Sequence, residues 1–262
     1  MEKIKTIMLK EWAEVFRNQL VLFTVIFMPL FFTALPVGIL FSMRGAASTG
    51  FGGQIPAGFL PVCPPGLSAG ECMQVYILSQ FMLLFMLTPL MVPVNIAAYS
   101  VVGEKTSRSL EPLLATPITT AELLSGKNLA AAIPAVVATW FSFGLYIAAA
   151  RWLVGSPKVA AALLDPIWLM AVLVIGPLLA ILSVNFSLMV SSRVSDPRVA
   201  EQLSAVVVLP LLVLFFGQIA GIVLLSRRLM LLLALALVAL DAVLVFLAVR
   251  LFQRETILTR WR

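Results

Sequence analysis

Gly103–Lys127, GEKTSRSLEPLLATPITTAELLSGK, carries more charged residues than any other stretch between two apolar runs. It mixes three acidic residues, Glu104, Glu111 and Glu122, with three basic ones, Lys105, Arg108 and Lys127. The runs on either side read as lipid-buried helix, so this segment reads as a polar element held at a water boundary. The whole 262-residue chain fits that view, being 61% hydrophobic and 11% charged. A soluble domain carries about 25% charged residues. A chain this poor in charge cannot cover its surface with polar groups, and most of that surface must face lipid. The length would otherwise suit one or two soluble domains, but the composition predicts one integral membrane domain over 1–262.

Working outward, six uncharged or nearly uncharged runs can each cross about 30 Å of hydrocarbon, which takes roughly 20 helical residues. They predict spans at about 20–43, 74–102, 128–150, 166–190, 203–225 and 229–249. Each must be helical, because the hydrocarbon offers no partner for backbone groups. Pro29 and Pro36 are expected to kink the first span, Pro89 and Pro93 the second and Pro177 the fourth. The first run is too long, and starts too far into the chain, for a cleaved signal peptide.

Basic residues set the orientation. With the N-terminus inside, thirteen of the 18 lie on cytoplasmic segments: Lys3, Lys5, Lys10, Arg17, Lys105, Arg108, Lys127, Arg193, Arg198, Arg250, Arg254, Arg260 and Arg262. Arg44, Arg151, Lys158, Arg227 and Arg228 lie outside. This positive-inside bias predicts a multi-pass protein with both termini in the cytoplasm. It also accounts for the net charge of +6 without nucleic acid. The outer loop, 44–73, is rich in Gly and Pro. It holds both cysteines, Cys63 and Cys72, a candidate disulfide in an oxidising exterior.

Residues 2–19 are too polar to span. Ile4, Ile7, Met8, Trp12, Val15 and Phe16 fall on one helical face, with Lys3, Lys10 and Arg17 opposite. That pattern predicts an amphipathic helix in the inner headgroup layer, an anchor or a lever on the first span.

Within the cytoplasmic loop 103–127, Thr119 followed by Glu122 forms a capping-box signal. Pro117 stiffens the approach, Leu123 and Leu124 offer apolar contacts, and Gly126 is expected to break the segment before the third span. The expectation is a short, rigid helix under the membrane with an apolar tip, a shape suited to a groove in a soluble partner.

Three segments here resemble the signature of ABC-2 type transporter permeases: Glu104-Lys105, then Leu110-Glu111-Pro112-Leu113-Leu114-Ala115-Thr116-Pro117-Ile118, then Glu122-Leu123-Leu124-Ser125-Gly126-Lys127. These permeases are the membrane subunits of ATP-binding-cassette exporters of the type V fold. Thr106-Ser107-Arg108-Ser109 departs from the usual pattern. The layout is similar too: an interfacial helix, six spans, and a coupling helix between spans two and three. The resemblance implies a non-catalytic half-transporter that pairs with a second permease chain in a prokaryotic plasma membrane, with a copy of itself expected ahead of a sister chain. It also implies two separate ATPase subunits that bind the ATP and Mg2+. Glu104, Leu113, Leu114, Thr116, Pro117, Thr119, Thr120, Glu122, Leu123, Leu124, Gly126 and Lys127 would then form the ATPase-coupling element. Cargo would be hydrophobic or amphipathic, exported or extracted from the bilayer.

No cofactor or metal site is expected on the chain itself. There is no His, which removes His-based catalysis and most zinc sites. There is no GxxxxGK[ST] phosphate loop, since Asn128 follows Gly126-Lys127. Asp241, in the middle of the sixth run, is the costliest intramembrane group and must face protein or water, lining a pathway or bonding a neighbouring span. Asn95, Asn185 and Gln218 are weaker candidates for the same roles. Asp196-Pro197 marks a turn or helix start between spans four and five. An ATP-independent carrier or channel is the alternative, but no internal repeat supports it. A lipid-modifying enzyme would need clustered acids, His or Cys at the interface, and the few acids are scattered.

Overall fold

The computed structural model describes residues 2–43, 63, 66–106, 118–154, 156–223 and 225–252. Among these the regular elements are all helical. Six stretches are long and apolar enough to cross a bilayer: Val21–Ser42, Gly70–Thr106, Thr120–Leu153, Pro157–Ser191, Pro197–Ile219 and Arg227–Leu251. The chain is an all-α integral membrane protein.

The amphipathic segment forms α1 (Glu2–Arg17), and the first span is α2 (Gln19–Met43), which contains both Pro29 and Pro36. The second span is two helices, α3 (Ala69–Phe85) and α4 (Thr88–Thr106), parted at Met86-Leu87 just before Pro89. A proline cannot donate to the preceding turn, and the ladder lapses there. α3 opens inside the segment expected as outer loop, because Ser68 and Glu71 form a capping box that the sequence reading passed over.

The third span is α5 (Thr120–Leu153), opened by the expected capping box. Glu122 N donates to Thr119 Oγ1 at 3.2 Å, and Thr119 N donates to Glu122 Oε2 at 2.8 Å. The expected break at Gly126 is absent, and α5 runs uninterrupted through Gly126 and Pro134 to Leu153.

The fourth span comprises α6 (Pro157–Leu163), α7 (Pro166–Met170), a π-helical turn (Ala171–Ile175) and α8 (Gly176–Ser191). The π turn sits directly before Pro177, whose ring cannot continue a regular ladder. Trp140 of α5 donates from Nε1 to the Val172 carbonyl within that turn at 3.1 Å.

The fifth span is α9 (Pro197–Ser204), a 3-10 turn (Ala205–Val208) and α10 (Leu209–Ile219). Asp196 caps α9 by accepting from Arg198 N, so the Asp-Pro pair is a helix start. α10 ends earlier than expected, at a turn in which Gly221 takes φ +71°. The last span, α11 (Arg227–Leu251), is capped by Ser226.

α4 is the hub. It packs on α2, α5, α8 and α9, and is buried along most of its length. α2, α10 and α11 stand at the edge and turn large apolar side chains outward, among them Phe27, Phe216 and Phe246. At the α1 end an apolar cluster joins Val15, Val21, Val92, Leu124, Leu188 and Phe252. A second cluster fills the opposite half, around Leu83, Leu90, Phe143, Trp168 and Leu182.

Candidate functional site

The α1 end of the bundle holds a ring of alternating charge. Lys127, on the second turn of α5, lies 2.8 Å from Glu11 of α1 and 2.9 Å from Glu104 of α4. It also donates to Ser100 Oγ at 2.6 Å. Glu104 turns its other oxygen to Lys10, at 2.5 Å, and Lys10 closes the ring at 3.6 Å from Glu11. Lys127, Glu11 and Glu104 are 2–3% exposed, whereas Lys10 is 39% exposed and also meets Glu14 at 3.3 Å.

Neighbours around the ring always differ in sign, which is what lets two carboxylates and an ammonium leave water together. Burial pushes the Glu11 carboxyl up, but the Lys127 charge and hydrogen bond, with Ser100 and Lys10, outweigh it and hold Glu11 below the ordinary carboxylate range. Burial pushes the Lys10 ammonium down, yet its bond to Glu104 and the charges of Glu104, Glu11 and Glu14 raise it above the usual lysine range.

Close backbone approach makes the ring possible. A Cβ on Gly126 would stand 2.7 Å from Ile7 Cγ2 and 2.9 Å from Ile7 Cβ. Glycine at 126 therefore lets α1 lie against α5 rather than breaking the helix. Trp12 Nε1 donates to the Ala130 carbonyl at 2.9 Å, one turn further along. Leu123 and Leu124 are buried at 5% and 4% exposure, with Leu124 packed in the cluster that contains Val15. They are not the exposed apolar tip that the sequence suggested. The exposed positions here are Thr119, Ala121 and Ser125, while Glu122 is half-buried and 3.8 Å from Lys3.

Lys105, next to the ring, reaches a different element. Its Nζ donates to the carbonyls of Ser192 at 2.8 Å and Val194 at 3.1 Å. A cation at the C-terminus of α8 satisfies carbonyls that the helix leaves open. The charged residues flanking 107–117 thus fasten α1, α4, α5 and α8 to one another.

Of the residues expected in the coupling element, the structure brings Glu104, Gly126 and Lys127 to the ring, and places Thr119, Thr120, Glu122, Leu123 and Leu124 on the turns leading to it. Leu113, Leu114, Thr116 and Pro117 lie outside the described residues. Lys10, Glu11, Glu14 and Ser100 were missed. A signal for Glu11 was present, since it is a carboxylate inside the apolar stripe Ile4, Ile7, Met8, Trp12, Val15.

Asn128 donates to Asn185 Oδ1 at 2.8 Å, and Asn185 donates to the Ile181 carbonyl, fastening α5 to α8. Asn95 lines a pocket of about 310 Å³ whose wall mixes Arg198, Glu201 and Gln202 with Met91, Val94 and Val208. Gln218 is buried, and its Oε1 finds no hydrogen-bond partner among the described residues. Asp241 lies on the buried stripe of α11 with Met230, Leu237 and Ala248. Neither of its carboxyl oxygens has a hydrogen-bond partner among the described residues. Cys63 and Cys72 are joined in the structure, with Cα atoms 5.8 Å apart. Among the described residues no three Cys, Asp or Glu groups gather in a way that could hold a metal ion.

Six apolar spans, the second and third tied to α1 by a buried charge ring, define a multi-pass helical membrane protein. The family model described as "ABC-2 family transporter protein" matches residues 5–230, and the chain belongs to that family. A search of curated proteins finds no match. The family makes the chain the non-catalytic membrane permease of an ATP-binding-cassette transporter, and membership implies ATPase partners.

Proposed function

We propose that this permease is one of two copies in an exporter of the plasma membrane, with both termini in the cytoplasm. Two ATPase subunits, each holding ATP and Mg2+, engage it at the α1 end. The cargo is hydrophobic or amphipathic and is exported or drawn from the bilayer. The coupling element comprises residues 107–117 and the first turns of α5, from Thr119 to Lys127.

The observation that carries this reading is the Lys127 ring. The ring binds the first turns of α5 to α1 and α4, so a push on the foot of α5 moves three elements as one. α5 is 34 residues long and unbroken, which makes it a lever of about 51 Å. The stroke passes directly into the third span, and α1 travels with it in the headgroup layer.

Cysteine cross-linking tests the proposal. With Cys63 and Cys72 first replaced by serine, a single cysteine at the exposed Ser125 should cross-link to the partner ATPase in the resting complex, and the yield should change when a non-hydrolysable nucleotide is added. A cysteine at Trp152, at the other end of α5, should not cross-link. Labelling of the Ser125 position by a membrane-impermeant reagent from outside intact cells would defeat the orientation. Absence of any ATPase adduct would defeat the contact.

A further inference from the structure

The two edge spans five and six leave a gap between them. α10 packs on α3 and α11 packs on α8, and between them lies a cleft of about 420 Å³. Its floor is the π turn and the start of α8, through Ile175 and Leu179, and one wall is Leu211 and Leu214. The opposite wall is the stripe Leu229, Leu233, Leu237, Leu240 and Leu244 of α11. Every lining side chain is apolar, so nothing here can bind a polar cargo by hydrogen bonds. From Leu229 to Leu244 the stripe runs about 22 Å along the helix. Half of a bilayer core is about 15 Å, so a tail entering from one leaflet fits lengthwise and reaches past the midplane.

One end of the cleft is flanked by basic residues. Leu225 and Leu229 both line it, and between them stand Ser226, Arg227 and Arg228, all exposed, at the end of the bundle opposite α1. Arg227 and Arg228 open α11, where the helix dipole already disfavours cations. Among the described residues no carboxylate lies within ion-pair distance of either arginine. Two arginines at the positive end of a helix, above an apolar slot as long as a lipid tail, complement a molecule with an anionic head and a hydrocarbon chain.

We propose that this cleft binds an anionic phospholipid of the leaflet opposite α1, one acyl chain lying along the α11 stripe and the phosphate meeting Arg227 and Arg228. The site is separate from the charge ring, and its test needs no ATPase.

The full-length protein is reconstituted in phosphatidylcholine vesicles doped with phosphatidylglycerol or phosphatidylcholine carrying a diazirine on one acyl chain. It is irradiated and mapped by mass spectrometry. The expected result is labelling on α10 and α11 inside the cleft, favouring phosphatidylglycerol by about 25-fold, since each basic residue at a membrane surface contributes roughly fivefold. R227Q/R228Q should bring the two lipids to parity. L233W, which fills the cleft, should abolish cleft labelling, while L231W, on the 55% exposed Leu231, should leave it unchanged. Equal labelling by the two lipids in the unmodified protein overturns the proposal, and so does cleft labelling that survives L233W. A chain-to-chain adduct from a photoreactive residue at position 214 also overturns it, because a second copy would then fill the cleft.

Discussion

Replacing Lys127 by Met tests the ring at its centre. Methionine keeps most of the length and volume of the side chain and removes the ammonium. Glu11 and Glu104 lose a cation at 2.8 and 2.9 Å, and at 2–3% exposure neither is rehydrated where it stands. Lys10 still holds Glu104 at 2.5 Å, but it is 3.6 Å from Glu11 and 39% exposed, so Glu11 keeps only a more distant and partly screened cation. Removing one member of a buried pair costs about 3–5 kcal/mol, because the partner, here Glu11, is left without a close counter-charge. The weakened contact holds α1 to α4 and α5, so the loss takes the form of local opening of α1 rather than global unfolding. At 1.4 kcal/mol per factor of ten, the lower figure exposes α1 amides about 100-fold more often. Hydrogen exchange by mass spectrometry on the detergent-solubilised protein reads this directly, with peptides from α8 as internal reference. K127M should accelerate exchange in α1 by about two decades and leave α8 unchanged. The triple variant E11Q/E104Q/K127M should recover most of the protection, because no buried charge is left unpaired and Lys10 can hydrate. Unaltered α1 exchange in K127M, or a triple variant as loose as the single, would refute the electrostatic account.

Three further outcomes are expected. The α1 contact should be insensitive to pH from about pH 6 to about pH 9 and weaken on both sides. Glu11 titrates lower when folded, so its contribution is full above the unfolded carboxylate value and is lost as the pH falls through the folded one. Lys10 titrates higher when folded, so its contribution is full below the unfolded lysine value and is lost as the pH rises through the folded one. Exchange of α1 corrected for intrinsic rate reads this, and a slope inside the window would contradict it. Gly126→Ala should loosen α1 despite a helix-propensity gain of about 1 kcal/mol, because crowding against Ile7 costs about 1–3 kcal/mol. In an Ile7→Ala background the same change should be neutral or stabilising, and equal effects in both backgrounds would count against the close approach. Finally, Cys63 and Cys72 should take up maleimide in unfolded protein only after reduction, and uptake before reduction would rule out the pairing.

The six spans were legible because hydrocarbon imposes a rule on each segment separately: about 20 apolar residues, all helical. The capping box at Thr119 and Glu122 was legible for a similar reason, since its partners are three residues apart and need no tertiary contact. The break in the second span was legible in kind, through Pro89, but its position at Met86-Leu87 was not. The charge ring joins residues 94 and 116 positions apart. No local pattern announces that Glu104, at the end of one span, and Lys127, at the start of the next, will close on α1. Glu11 carried a trace, a carboxylate on an apolar face, but without the packing it reads equally as a polar edge of an interfacial helix.

Gly126 shows how a wrong local reading changes a mechanism. Glycine lowers helix propensity, and just before a span it reads as a hinge. A hinge there would let the foot of α5 swing without moving the span, and the span would have to be driven some other way. In the structure the missing side chain is used sideways, to admit Ile7, and the helix continues. The cost of glycine within α5 is offset by the contact it permits, because the approach of α1 brings Glu11 onto Lys127. The same residue that seemed to separate the foot from the span therefore fastens a second helix to both. Stiffness at this junction then becomes the quantity to measure. If Gly126→Ala loosens α1 while α5 keeps its exchange protection across positions 120–132, the junction is a clamp. If protection in α5 itself collapses there, the hinge returns.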